Sequence, residues 1–188
     1  MGIVFVFFTP LLSGCIFWDD TSPVIEVSDD ETDPESYTVV APIDTGINVY
    51  HNHFIMNQSY PSSLLEGLNV TMTCDISTEG TWQERYEADK ESCWDQITPT
   101  DIVWFRGTRI IGTSPDNGTD IPILDDPQDG HGTAVTGAVL DANPDAVIFF
   151  VEGFSDAAVL AAANQPLVDI ISTCLLYTSP SPRDSRKS

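Results

Sequence analysis

Positive charge is what this 188-residue sequence has least of: seven lysines and arginines stand against 29 aspartates and glutamates, a formal net charge of -22. That balance excludes nucleic acid as a partner, because neutralising a phosphate backbone takes clustered Lys and Arg. It fits a saline medium as well as a plain excess of charge, since acidity keeps a protein soluble either way. Between residues 16 and 37 there is no basic residue at all, while Asp19, Asp20, Glu26, Asp29, Asp30, Glu31, Asp33 and Glu35 crowd together around Pro23 and Pro34. Such a stretch has too little to bury and too much like charge to order itself, so it reads as a solvated tether. Long apolar runs are missing too. The longest candidate, at the N-terminus, falls short of the roughly 20 residues of a bilayer-spanning helix. No internal repeat is visible, which removes solenoids and propellers. What is present, 41% hydrophobic residues with 10% aromatics, is enough for the core of one globular domain.

The N-terminal run "MGIVFVFFTPLLSGC" has the length and small-residue end of a signal peptide, with a buried strand as the alternative. Its end, Leu12-Ser13-Gly14-Cys15, resembles a lipobox, which implies lipidation of the Cys15 thiol after cleavage. No Lys or Arg precedes the run, a departure from the signal-peptide pattern that leaves the true start of the gene open. At the other end, "CLLYTSPSPRD" (residues 174–184) follows "VDIIS" without turn logic. It resembles the reading-frame translation of a transposon-type sequencing adapter over eleven consecutive residues. The expected organisation is therefore a signal peptide at 1–14 and a lipidated cysteine with acidic tether at 15–37. A folded domain follows at 38–173, and a non-native tail at 174–188. Without the tail, the loss of Asp184, Arg183, Arg186 and Lys187 leaves 28 acidic and four basic residues.

Cysteine is scarce. Of four, Cys15 is assigned to lipid and Cys174 to the tail, which leaves Cys74 and Cys93 as an even pair in an exported chain. A disulfide between them closes a loop worth about 3 kcal/mol in the chain-entropy account; two free thiols are the alternative.

Two local patterns carry chemistry. In "DGHGTAVTG" (residues 129–137) His131 stands between Gly130 and Gly132 at the start of a small-residue helix, followed by the apolar strand in "NPDAVIFFVEG". Earlier, the β-branched run in "YTVVAPIDTGINVYHNHF" stops at Ile43-Asp44-Thr45-Gly46. A carboxylate at the end of a buried strand and a histidine at the start of a helix can be combined so that the acid holds the imidazole in one tautomer. Together the motifs resemble the subtilisin-like serine proteases, in which Asp-Thr/Ser-Gly carries the triad aspartate and His-Gly-Thr-x-Val-x-Gly the histidine. The resemblance runs from about Tyr37 to Ser172. It implies an α/β fold with a mainly parallel sheet flanked by helices, truncated here. It also implies peptide or protein substrates, Asp44 as the group that orients and supports the imidazole, and His131 as general base. By the same resemblance Gly130 and Gly132 keep the surroundings of the imidazole open, Thr133 and Val135 start the helix, and Gly137 allows close packing. No cofactor is required for that chemistry, and no complete calcium loop is legible among the aspartates.

The departures are specific. Between Asp44 and His131 the chain is longer than in compact family members and carries the Cys74–Cys93 segment with Trp82 and Trp94, an apparent insertion, followed by the strand-like "DIVWFRGTRIIG". Thr136 stands where alanine is common. The oxyanion asparagine and the Gly-Thr-Ser-x-Ala-x-Pro nucleophile motif are expected beyond Thr173, so the chain alone is expected to be inactive. Strands such as "AVIFFV" are expected to be poorly covered for the same reason. Gly112-Thr113-Ser114 has the right three letters but reads as a turn before the histidine. His51 and His53 offer a paired-ligand alternative at alternate strand positions. The sequons at Asn57, Asn69 and Asn117 are chance-prone tripeptides. The sequence thus points to an extracytoplasmic, membrane-anchored endopeptidase. The alternative is a non-catalytic binding or scaffold module of the same fold on a surface lipoprotein.

Overall fold

β-branched and aromatic runs become strands here, and the small-residue stretches between them become helices, as period and composition dictate. The computed structural model describes residues 4–6, 33, 36–99, 101–116, 122–125 and 130–173. Cys15, Asp129, the Asn117 sequon, the 174–188 tail and most of the leader and tether lie outside them. The strands are β1 (Val4–Val6), β2 (Val39–Asp44), β3 (Met72–Asp75), β4 (Ile102–Arg106), β5 (Ile110–Thr113), β6 (Val147–Glu152) and β7 (Val168–Thr173). The helices are α1 (Ser62–Gly67), α2 (Trp82–Asp89), α3 (His131–Ala142) and α4 (Asp156–Ala163). Six strands form the body of one sheet in the order β7-β2-β6-β5-β4-β3, and the three residues of β1, from the run read as a leader, lie parallel along the outer edge of β7. Every pairing is parallel except β4 with β5, so the fold is α/β with a mostly parallel sheet.

Both faces of that sheet are covered, which is why its central strands read as unbroken apolar runs. Alternate residues separate into two cores. Val39, Ala41, Ile43, Val147, Phe149 and Val151 pack with Leu64 of α1 and Ala158 and Ala162 of α4. Val40, Ile148 and Phe150 pack on the opposite face with Leu140 of α3, Phe105, and the segment around Cys93 and Trp94. The chain leaves β6 on the α4 side, passes β2 and returns as β7. Strand β2 therefore has later strands on both flanks, reached over opposite faces. Its carboxyl end is the topological switch point, where open α/β sheets form their crevice.

Three local expectations are corrected. "DIVWFRGTRIIG" is two antiparallel strands, β4 and β5, not one, because Gly107 takes φ +89 and the Thr108 hydroxyl donates back to the Phe105 carbonyl at 2.7 Å, reversing the chain. Gly112 and Thr113 are strand rather than turn, since they pair with Phe150 and Val151 of β6. Strand β6 is not poorly covered: all six of its residues are buried, between β2 and β5 in the sheet and between the two helical layers.

Cys74 on β3 and Cys93 are disulfide-bonded. Beside the bond, the Trp94 indole donates to the Tyr50 hydroxyl at 2.7 Å, and that hydroxyl donates to Asp89 at 2.9 Å. Asp89 also accepts from the Ser77 backbone N–H and hydroxyl. A buried carboxylate is tolerated because its lone pairs are filled in this way. The apparent insertion is thus a fastened part of the α3-side core.

Candidate active site

Strand parity sets the acid. Val40 faces the α3 layer, so Pro42 and Asp44 do as well. Asp44 is fully buried at the end of β2. Its Oδ1 accepts the Thr45 backbone N–H at 2.8 Å and the Thr45 hydroxyl at 3.3 Å, so the Asp-Thr pair satisfies its own carboxylate as the strand ends.

The histidine is set by the helix start. Gly130 caps α3 at φ +57, a left-handed conformation that a side chain would resist, and His131 is the first helical residue. Its Nδ1 lies 2.8 Å from Asp44 Oδ1 and 2.9 Å from Oδ2, across 87 positions of sequence. A carboxylate is acceptor-only, so Nδ1 carries the proton and donates it, and the neutral ring then has its basic lone pair on Nε2. The His131 side chain is 52% exposed, whereas the Asp44 carboxylate it meets is fully buried.

Gly132 explains how the helix comes so close. A Cβ there would run into the Gly46 carbonyl oxygen and stand 3.1 Å from both Asp44 Cβ and Phe150 Cζ. Its absence lets α3 seat directly on the loop after Asp44; it serves contact rather than the openness expected of it. Gly137 shows the reverse. Nothing lies within 4 Å of a Cβ built there, so the close packing assigned to it belongs to Gly132. Thr133 contributes further by accepting the Asn48 backbone N–H at 2.9 Å, which ties the first turn of α3 to the same loop.

Sequence reasoning missed the third wall of the site. Residues 122–125 lie along the loop after β2: the Ile47 N–H donates to the Ile123 carbonyl at 2.8 Å, and Leu124 bridges Ile47. The Ile123 N–H in turn donates to Glu152, which is 4% exposed at the end of β6 and is the register partner of Asp44. One signal was available. Glu152 is the sole charged residue in the buried run "AVIFFVEG" and shares strand parity with Ile148 and Phe150.

The remaining candidates stand apart. Ser114 is buried at the end of β5, with β6 between it and the strand of Asp44. His51 and His53 are not at alternate strand positions. His51 caps a short 3-10 turn, Asn52–Phe54, that contains His53; the His51 ring accepts the His53 N–H, and His53 pairs with Asp141 at 3.3 Å on the surface. Among the described residues no group of three or more His, Cys, Asp or Glu could hold a metal ion. No helix among them is long and apolar enough to cross a membrane. No protein-family model, no curated protein and no solved structure matches this chain.

Proposed function

We propose that this chain carries the acid and the base of a subtilisin-like serine endopeptidase. The observation that carries the reading is the contact between His131 Nδ1 and the buried Asp44 carboxylate at the carboxyl end of the switch-point strand. A serine following in sequence beyond Thr173 attacks the peptide carbonyl. The Nε2 of His131 takes the serine proton and returns it to the leaving amine, while Asp44 stays ionised, holds the tautomer and stabilises the imidazolium. The oxyanion donor comes from the same later sequence. Cys15, lipidated after removal of residues 1–14, holds the domain on the outer face of a membrane by the acidic tether. The Cys74–Cys93 bond fits an oxidising, extracytoplasmic setting.

The test joins the native downstream sequence to residues 16–173 and applies a serine-directed fluorophosphonate and a peptide substrate to this chain and to the 188-residue one. The extended protein is expected to label and cleave. His131→Ala and Asp44→Asn are each expected to lower turnover by about 10⁴-fold or more. The shorter chain is expected to do neither. A folded extended protein that neither labels nor cleaves would make the domain a binding or scaffold module instead.

A further inference from the structure

Behind the Asp44–His131 pair is a second buried carboxylate that the acid–base chemistry does not use. Asp44 and Glu152 end neighbouring strands in register, and both face the α3 layer. The Glu152 carboxylate accepts the Ile123 N–H at 2.5 Å. Ile123 takes φ +72, in the left-handed region, where a β-branched side chain is strained and persists only when its surroundings insist. Those surroundings can be traced. The Ile123 side chain fills the space over Gly112 on β5, where a Cβ would come within 2.8 Å of Ile123 Cγ2. Its carbonyl accepts the Ile47 N–H, and Ile47 returns a bond from the Asp125 N–H at 3.3 Å. Asp125 lies close over Gly46, where a Cβ would stand 2.9 Å from the Asp125 Cα, and the Gly46 carbonyl lies where a Cβ on Gly132, next to His131, would have to go.

We infer that Glu152 is a positioning residue for the Asp44–His131 pair, a role that rests on the proposed protease reading. Its carboxylate holds residues 123–125 as a strap across the loop after Asp44, and the strap presses that loop onto the first turn of α3. The requirement is for an acceptor at this reach, not for charge. Glu152→Gln keeps the oxygen at the same length and loses the charge, whereas Glu152→Asp keeps the charge and falls one methylene short.

Both variants of the 188-residue chain are compared with the parent sequence by hydrogen exchange of the Ile123 amide and by NMR of the His131 Nδ1–H. The sequence has only three histidines, which makes that proton assignable. Glu152→Gln is expected to keep both signals as they are. Glu152→Asp is expected to speed Ile123 exchange at least about tenfold, the equivalent of 1.4 kcal/mol of local opening, and to broaden or lose the Nδ1–H signal. Unchanged signals in Glu152→Asp, or their loss in Glu152→Gln, would overturn the assignment. Neither readout depends on peptide cleavage, so an extended protein that never cleaves would remove the protease reading and leave this result standing.

Discussion

Gly132→Ala and Gly137→Ala place the same methyl group on the same helix, five residues apart, and are expected to act in opposite directions. Helix propensity favours both, by about 1 kcal/mol for alanine over glycine in a helix interior. At Gly137 nothing stands within 4 Å of the new Cβ, so that gain is the whole effect, about 0.5 to 1 kcal/mol of added stability. At Gly132 the Cβ falls under 3.0 Å from a backbone oxygen, that of Gly46. That oxygen cannot retreat easily, because Gly46 is itself packed on the Asp125 backbone. Relief must come from lifting the first turn of α3, at an overpacking cost of about 1 to 3 kcal/mol. The propensity gain is common to both and cancels, so the two variants should differ by the overpacking cost alone, about 1 to 3 kcal/mol, or roughly 0.5 to 1.5 M in the urea midpoint at an m of about 2 kcal/mol per M. Because the displaced turn carries His131, Gly132→Ala should also lengthen the 2.8 Å contact to Asp44 and lose the Nδ1–H signal, while Gly137→Ala keeps it. Equal midpoints, or a Gly132→Ala protein with the signal intact, would refute the claim that close approach at Gly132 seats the pair.

Reduction of the Cys74–Cys93 bond, or the double Cys→Ala variant, should lower unfolding free energy by about 3 kcal/mol in urea titrations, given a sequence separation of 19; a change under about 1 kcal/mol would mean that the Tyr50, Trp94 and Asp89 contacts alone hold that segment. Alkaline pH supplies a further test, since burial pushes the Tyr50 and Tyr60 hydroxyls well above the ordinary tyrosine value. A phenol raised in the folded state contributes stability that is fully present below the unfolded value near 10 and is lost as pH climbs above it. Phenolate absorbance from these two residues should thus appear only together with loss of tertiary circular dichroism, and reversible titration of either near pH 10 in folded protein would contradict their burial.

Local patterns were readable in the sequence because local chemistry writes them. Apolar runs with β-branched residues became β2, β6 and β7. Small residues after His131 became α3, and Ser155 caps α4 by accepting the Ala157 and Ala158 N–H groups. Charge scarcity, the even cysteine pair and the Asp44 and His131 motifs needed nothing beyond their neighbours in the chain. Where backbone reversals depend on a few φ values, pattern fell short: a hairpin passed as one strand, and a 3-10 turn at His51 to Phe54 passed as alternating strand. Long-range matters were decided only by the tertiary structure. Which face Asp44 presents follows from burial of both sides of the sheet, and its partner follows from strand order, which brings α3 over β2. Likewise, nothing within the "HGTAVTG" stretch distinguishes Gly132 from Gly137; the Gly46 carbonyl, 86 positions earlier, does. Glu152 owes its place to pairing with Asp44 in register and to a strained Ile123 folded in from another loop. Periodicity reaches about one helical turn or two strand residues, whereas register and layer order are set by covering the whole sheet at once.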